Sequence, residues 1–332
     1  MAGLPLTSIE ICAGAGGQAL GLEKAGFGHV ALVEIDPHAC RTLRKNRPEW
    51  NVIEGDVRAF HAHDYQGVDL LAGGVPCPPF SVAGKQLGKD DERDLFPEMI
   101  RLASECRPRA IMIENVRGLL DPKFASYRAH IRQEIEALGY ESDWRLVQAA
   151  EYGVPQLRPR TIFVALLKEL FGGYSWPEPR PWEAPTVGEA LRAEMGSRGW
   201  PGASEWAARA RSIAPTIVGG SKKHGGPDLG PSRARLAWAA LGVNGNTVAE
   251  EAPGPEHQGP PRLTVRMASI VQGFPPEWEF VGTKTAAYRQ VGNAFPPPVA
   301  AAVGSAIAQA LTGTTTPGKR KTIAHQDLLF PA

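Results

Sequence analysis

The sequence lacks most of the features that classify a protein by composition alone. Its 332 residues carry 36 Lys and Arg against 35 Asp and Glu, a net charge of +1. That balance excludes a polyanion-coating tail and an acidic disordered chain. No apolar run approaches the roughly 20 residues that cross a bilayer. A strand-like segment begins within the first ten residues, so neither a membrane span nor a signal peptide is expected, and the chain reads as cytoplasmic. Cysteine is scarce: Cys12, Cys40, Cys77 and Cys106 are far apart, with no CxxC pair and no Cys/His cluster of ligand spacing. Reduced thiols and no bound metal follow, and one thiol is free to act as a nucleophile. Function must therefore come from local sites in an ordinary globular chain.

What is present is a change of texture along the chain. From Thr7 to about Lys168, the short apolar runs SIEIC, HVALVEI, DLLAGG, AIMIENV and TIFVALL alternate with helix-like stretches at 17–25, 38–46, 95–105 and 126–138. Strands alternating with amphipathic helices predict an α/β domain with a parallel sheet and right-handed crossovers. After Gly172 the sequence turns rich in Trp, Pro and Gly, which predicts a second, less regular domain. Between Trp206 and Trp238 lie six basic residues (Arg209, Arg211, Lys222, Lys223, Arg233, Arg235) against the single acid Asp228, a local charge of +5 hidden by the near-neutral whole. A last apolar helical stretch spans 299–311, followed by a polar tail.

Loops and acids at strand ends carry the chemistry. In SIEICAGAGGQALG, a strand runs through Gly14, Gly16 and Gly17 into a helix, and VALVEID places Glu34 about 20 residues further on. An acid there accepts hydrogen bonds from ribose hydroxyls, which points to a nucleoside-bearing cofactor. A third strand-end acid, Asp56 in IEGDV, can accept from the amino group of adenine. In DLLAGGVPCPPFS, Cys77 stands between Pro76 and Pro78. Proline on both sides fixes the backbone at the carboxyl edge of the sheet, where open α/β sheets bind ligands. A free thiol has a pKa near 8.5, so activation needs positive charge close by. Arg158 and Arg160 in QLRPR are candidates, two residues apart on one face and suited to phosphate or carbonyl recognition. Finally, AIMIENV ends in Glu114 at the same sheet edge, where a poorly solvated carboxyl can donate a proton or hydrogen-bond an amino group.

In this order, the segments resemble the DNA cytosine-5 methyltransferases, and the resemblance covers most of the chain. AGAGG is similar to that family's S-adenosylmethionine loop, VEID to its ribose acid, GDV to its adenine-side acid, PCPPFS to its catalytic loop, ENV to its base-binding glutamate and QLRPR to its arginine motif. RLTVRMASIVQGFPPEW and YRQVGNAFPPPVAAAVG resemble the last two motifs. The resemblance implies a Rossmann-like S-adenosylmethionine-dependent methyltransferase domain at 1–171 and a smaller, irregular target-recognition domain at 172–284. A segment at 285–312 would return to the first domain, leaving a tail at 313–332. It implies catalytic roles for Cys77, Glu114, Arg158 and Arg160. Cofactor contacts would come from Cys12, Ala13, Gly14, Ala15, Gly17, Glu34, Ile35, Asp56, Val57, Gly74, Pro76 and Asn293. DNA contacts would come from Ser81, Gln86, Thr216, Lys222, Lys223, Arg233 and Arg235. The sequence departs from the family pattern at Cys12, where an aromatic residue usually stacks on adenine, and at Ala83, where serine is commoner. The implied partner is double-stranded DNA, read by a monomeric bacterial enzyme of the restriction-modification type, with any cognate endonuclease acting separately. Transfer RNA is the alternative substrate. A nicotinamide dehydrogenase would share the first loop but gives no reason for PCPPFS, ENV and the late GN together. A non-catalytic DNA-binding module would not need the nucleophile and the acid.

Overall fold

The fold is that of a computed structural model, which describes residues 6–76, 94–180, 183–219 and 226–313. The amino-terminal half alternates β1 (Leu6–Ile11), α1 (Gly17–Lys24), β2 (Phe27–Glu34), α2 (Pro37–Asn46), β3 (Val52–Glu54), β4 (Leu70–Gly73), α3 (Phe96–Cys106), β5 (Ala110–Val116), α4 (Ala125–Ala137) and β6 (Tyr140–Gln148). The short β7 (Gln156–Leu157), then β8 (Pro159–Leu167) and α5 (Lys168–Phe171), complete it. One seven-stranded sheet results, in the order β3-β2-β1-β4-β5-β8-β6. β1 to β5 are parallel, and β1, β2, β4 and β5 are the apolar runs expected of parallel strands with buried faces. β8 runs antiparallel to both β5 and β6, contrary to the all-parallel expectation. The reason is the link from β6 to β8: Ala149 to Arg158 is too short for a crossover helix, so the chain turns back on itself.

Strand order reverses between β1 and β4, and an open sheet of this kind leaves its crevice beyond the carboxyl ends of those two strands. Local sequence shapes the entrance. Gly14 and Gly16 adopt φ of 54° and 87°, left-handed values that favour glycine, and Gly16 caps the start of α1. α2 begins with Pro37, which lacks the amide donor a first helical turn does not need, and Asp36 caps it by accepting from the His38 amide at 2.8 Å.

The second half contains α6 (Val187–Gly196), α7 (Ala203–Arg209), β9 (Ala214–Pro215), α8 (Ser232–Ala240), α9 (Val265–Val271), α10 (Lys284–Asn293) and α11 (Pro297–Thr312). Its own core gathers Leu191, Trp206, Ile217, Trp238, Leu263 and Met267. α10 adds Tyr288 and Val291 to that core, whereas Phe295 and α11 pack on the sheet with Leu22, Met112 and Val164. The 285–312 segment thus bridges the two cores. By length and composition Lys284–Thr312 could cross a membrane, but two thirds of its most apolar window is buried inside the protein. β7 and β9 pair in parallel, stitching the second half to the foot of β8.

Candidate active site

A cavity lies at the switch point. It is lined by Cys12, Ala13, Gly14, Ala15, Gly17, Glu34, Gly74 and Asn293, all expected at a cofactor site, and also by Glu114. Glu34 is nearly buried and braces the glycine loop: its carboxylate accepts from the Gly14 amide and the Asp36 amide, each at 2.7 Å. Burial raises its pKa, and those two backbone bonds pull it back.

The cavity also contains residues that spacing did not reveal, among them Glu10, Gln18, Asp36, His38, Arg289 and Gln290. Ala286, Arg289, Gln290 and Asn293 recur at helical spacing, so one face of α10 forms a wall. That periodicity, counted back from Asn293, was the available signal. Glu10 and Gln18 matter most, because Glu10 Oε2 and both polar atoms of the Gln18 side chain are buried without a hydrogen-bond partner. Burial, and then the neighbouring Glu34, hold the Glu10 carboxyl well above the usual carboxylate range. Buried orphans cost about 1–3 kcal/mol each, so a cavity wall holding three is suited to a polar ligand.

Several residues expected as contacts are not part of this lining. Asp56 does not line the cavity: it caps its own turn, accepting from the Arg58 amide and guanidinium at 3.0 Å each, bonds that lower its pKa. Val57 is buried in the sheet core, Ile35 is 62% exposed, and neither they nor Pro76 line the cavity.

Glu114 faces Arg160 from the neighbouring strand, with Arg160 Nε donating to Glu114 Oε1 at 2.7 Å and both side chains largely buried. Register explains the pairing, since Val116 opposes Arg160 and places the arginine diagonally from Glu114. Arg158, expected beside Arg160 in the catalytic set, has different partners. It is fully buried, donating to the carbonyls of Ile217, Gly292 and Ala294 at 2.8 to 3.0 Å. The two guanidinium groups still feel one another, since Arg160 helps to lower the pKa of Arg158, but their hydrogen-bond partners differ.

Cys77, Ser81, Gln86, Lys222 and Lys223 lie outside the described residues. The flanks of the Cys77 loop are described. Asn115 donates to the Val75 carbonyl at 2.8 Å, and the Leu95 amide donates to the Pro76 carbonyl at 3.3 Å, so the two flanks, Pro76 and Leu95, are tied together. A Cβ on Gly74 would stand 3.4 Å from Glu114 Oε2, so the chain enters the loop directly over the glutamate. The three described cysteines are poor nucleophiles: burial pushes Cys12, Cys40 and Cys106 each to about 12. In the second half, Arg233 is exposed, Arg235 is half-buried, and Thr216 donates to the Leu157 carbonyl at 2.5 Å. The nearest approach to a metal-ligand set among the described residues, His61, His63 and Glu105, already holds the Arg101 guanidinium on Glu105.

Fold and cavity together define a Rossmann-like methyltransferase. Residues 6–309 match the family model of the C-5 cytosine-specific DNA methylases. The chain is 57% identical over 317 residues to the type II methyltransferase M.NgoMIV of Neisseria gonorrhoeae, covering 93% of this chain and 99% of that one. It is 56% identical over 312 residues to M.NaeI of Lentzea aerocolonigenes, covering 92% and 75%. Among solved structures, a DNA modification methyltransferase encoded within an Escherichia coli prophage superposes with a TM-score of 0.66 at 25% identity, covering 92% and 99%. The chain belongs to the C-5 cytosine-specific DNA methylases and is a DNA cytosine-5 methyltransferase of the restriction-modification type.

Proposed function

We propose that the chain transfers a methyl group from S-adenosylmethionine to carbon 5 of a cytosine flipped out of duplex DNA, through a covalent bond to Cys77, in the bacterial cytoplasm. The observation that carries this reading is the shared cavity: the glycine loop and Glu34 line the same space as Glu114. A nucleoside cofactor and an acceptor base would meet there without a shuttle.

The residues present fit the cofactor. Glu10, Glu34, Asp36 and Glu114 line the cavity with Arg289 and His38, a mainly acidic wall suited to a ligand bearing sulfonium and ammonium charges. The unpartnered Glu10 and Gln18 atoms supply an acceptor and a donor–acceptor pair. Once bound, S-adenosylmethionine supplies an electrophilic methyl group. Carbon 5 of cytosine is too weak a nucleophile to take it unaided, so the chain must activate the base. The Cys77 thiolate forms a bond to carbon 6 while Glu114 stabilises protonation at ring nitrogen 3, which makes carbon 5 enamine-like. After methylation, loss of the carbon 5 proton breaks the carbon–sulfur bond and returns the thiolate. Carbon 6 is out of reach inside a duplex, so the base must leave the stack, at a cost of about a few kcal/mol. The second half, with Thr216, Arg233 and Arg235 on or near its surface, is the DNA-reading part.

Bisulfite sequencing of a plasmid carried with the gene tests the whole reading. Protected cytosines in one recurring sequence are expected, and none in a vector control. Protection of transfer RNA with an unprotected plasmid would move the substrate to RNA, and protection of neither would reject the reading.

The cofactor assignment has its own pH signature. With its raised pKa, Glu10 carries a proton in the ligand-free chain at pH values where an ordinary glutamate is ionised. A cation in the cavity favours the ionised form, so binding expels that proton. Affinity for S-adenosylmethionine should rise with pH through the interval between the bound and free Glu10 pKa values and level off above the latter. Calorimetry in two buffers of different ionisation enthalpy should detect the released proton, and Glu10→Gln should weaken binding and lose that release. Equal proton release by wild type and Glu10→Gln would remove Glu10 from the ligand's surroundings.

A further inference from the structure

The foot of β8 holds a buried polar knot that neither cofactor binding nor base activation uses. Gln156, Arg158 and Gln272 are almost completely buried at its centre. Gln156 accepts from the Ile217 amide at 2.9 Å and donates to Gln272 Oε1 at 2.6 Å. Gln272 in turn donates to the Ala294 carbonyl. Arg158 spans the gap: one terminal nitrogen donates to Ile217 at 2.8 Å, and the other to Gly292 at 2.8 Å and Ala294 at 3.0 Å. Two separate stretches of chain are thereby held in one grip. One, residues 214–219, contains Thr216. The other, Gly292 to Ala294, contains two residues of the cavity wall, Asn293 and Ala294.

The two stretches also touch without side chains between them. A Cβ on Gly219 would lie 2.5 Å from the Arg289 carbonyl and 2.7 Å from Asn293 Oδ1, and one on Gly292 would lie 2.2 Å from the Gly219 amide nitrogen. Backbone packs on backbone at this seam, so a shift of one stretch must displace the other. The grip is costly as well as tight. The hydrogen bonds of Arg158 go to carbonyls, its Nε has no hydrogen-bond partner, and burial, reinforced by the neighbouring Arg160, drives its pKa well down. A core serving stability alone would favour apolar residues here, whereas a planar guanidinium can hold three carbonyls from two segments in fixed geometry.

We infer that Arg158 is a positioning residue that couples the DNA-reading segment to the cofactor cavity, so that each ligand binds more tightly when the other is present. This rests on the proposed reading of 214–219 as DNA-facing. Coupling between sites is reciprocal and commonly amounts to about 5- to 150-fold.

The experiment measures the dissociation constant of S-adenosylhomocysteine, the demethylated and unreactive cofactor, with and without an unmethylated duplex bearing the mapped sequence. In wild type the duplex should tighten it about tenfold. Arg158→Lys keeps a long side chain ending in a hydrogen-bond donor but cannot span three carbonyls, so the ratio should fall to near one while each ligand alone binds within about threefold of wild type. Gly219→Ala pushes the seam apart from the DNA side and should weaken S-adenosylhomocysteine alone by about tenfold or more, although residue 219 does not line the cavity. A ratio of one in wild type overturns the coupling and leaves the DNA reading standing. So does an unchanged ratio in Arg158→Lys that melts as wild type does. If Arg158→Lys does not fold, Gly219→Ala decides, and unchanged affinity overturns the proposal. If wild type binds no duplex, the DNA reading fails instead, and Gly219→Ala still tests the seam through the cofactor alone.

Discussion

A Cys77→Ala chain is expected to fold, to bind S-adenosylmethionine nearly as wild type does and to transfer no measurable methyl groups, a loss of more than about 10⁴-fold. The expectation combines elimination with placement. Cys12, Cys40 and Cys106 are held protonated by burial, at about 12, so none is a thiolate near neutral pH. Cys77 is the remaining cysteine of the sequence. It lies three residues past Gly74, whose backbone passes over Glu114, and three extended residues span at most about 11 Å. The flanks on either side of residues 77–93 are fastened by Asn115 and by the Leu95 amide, neither of which depends on the thiol. The measurement is a methyl-transfer assay paired with covalent trapping on 5-fluorocytosine duplex. Wild type should form an adduct that survives denaturing electrophoresis, and Cys77→Ala should form none. Turnover or an adduct in the variant would place the nucleophile elsewhere.

How much of this was legible depends on how each element meets solvent. β1, β2, β4, β5 and β8 were readable because strands covered on both faces become apolar runs. β6 was not: Tyr140–Gln148 places Glu141, Asp143 and Arg145 at alternate positions on an edge strand, so it offers no apolar run to mark it. The direction of β8 escaped because an apolar run says nothing about orientation. In the second half, α8 buries only Trp238, so its sequence shows almost no helical face. The glycine loop, Glu34 and Glu114 were legible from their strand-end positions. Glu10 was not, since an acid between two isoleucines reads as the solvent side of a half-buried strand, and only the sheet's second layer makes that side interior. The partners of Arg158 were hidden for another reason. Its motif was read as an arginine pair, and its carbonyl partners come from Ile217, Gly292 and Ala294, far away in sequence and so out of reach of spacing.

Glu114→Gln should lower turnover by about 10²- to 10⁴-fold, the range for removing a positioned proton donor, with S-adenosylmethionine affinity within about threefold of wild type. The substitution preserves shape, and the Gln oxygen can still accept from Arg160 Nε, which now lies 2.7 Å from Glu114 Oε1. The fold should therefore survive, with a melting temperature close to that of wild type. What is lost is the carboxyl's ability to share a proton with ring nitrogen 3 as the thiolate attacks carbon 6. Adduct formation with 5-fluorocytosine duplex should slow along with turnover, because the defect precedes methyl transfer. Arg160→Met is the informative companion. It strips Glu114 of the guanidinium that orients it and leaves a largely buried carboxylate without an ion-pair partner, so it should lower both turnover and melting temperature. If Glu114→Gln instead loses duplex affinity and turnover in equal proportion, while adduct formation at saturating duplex runs at the wild-type rate, Glu114 holds the base without activating it.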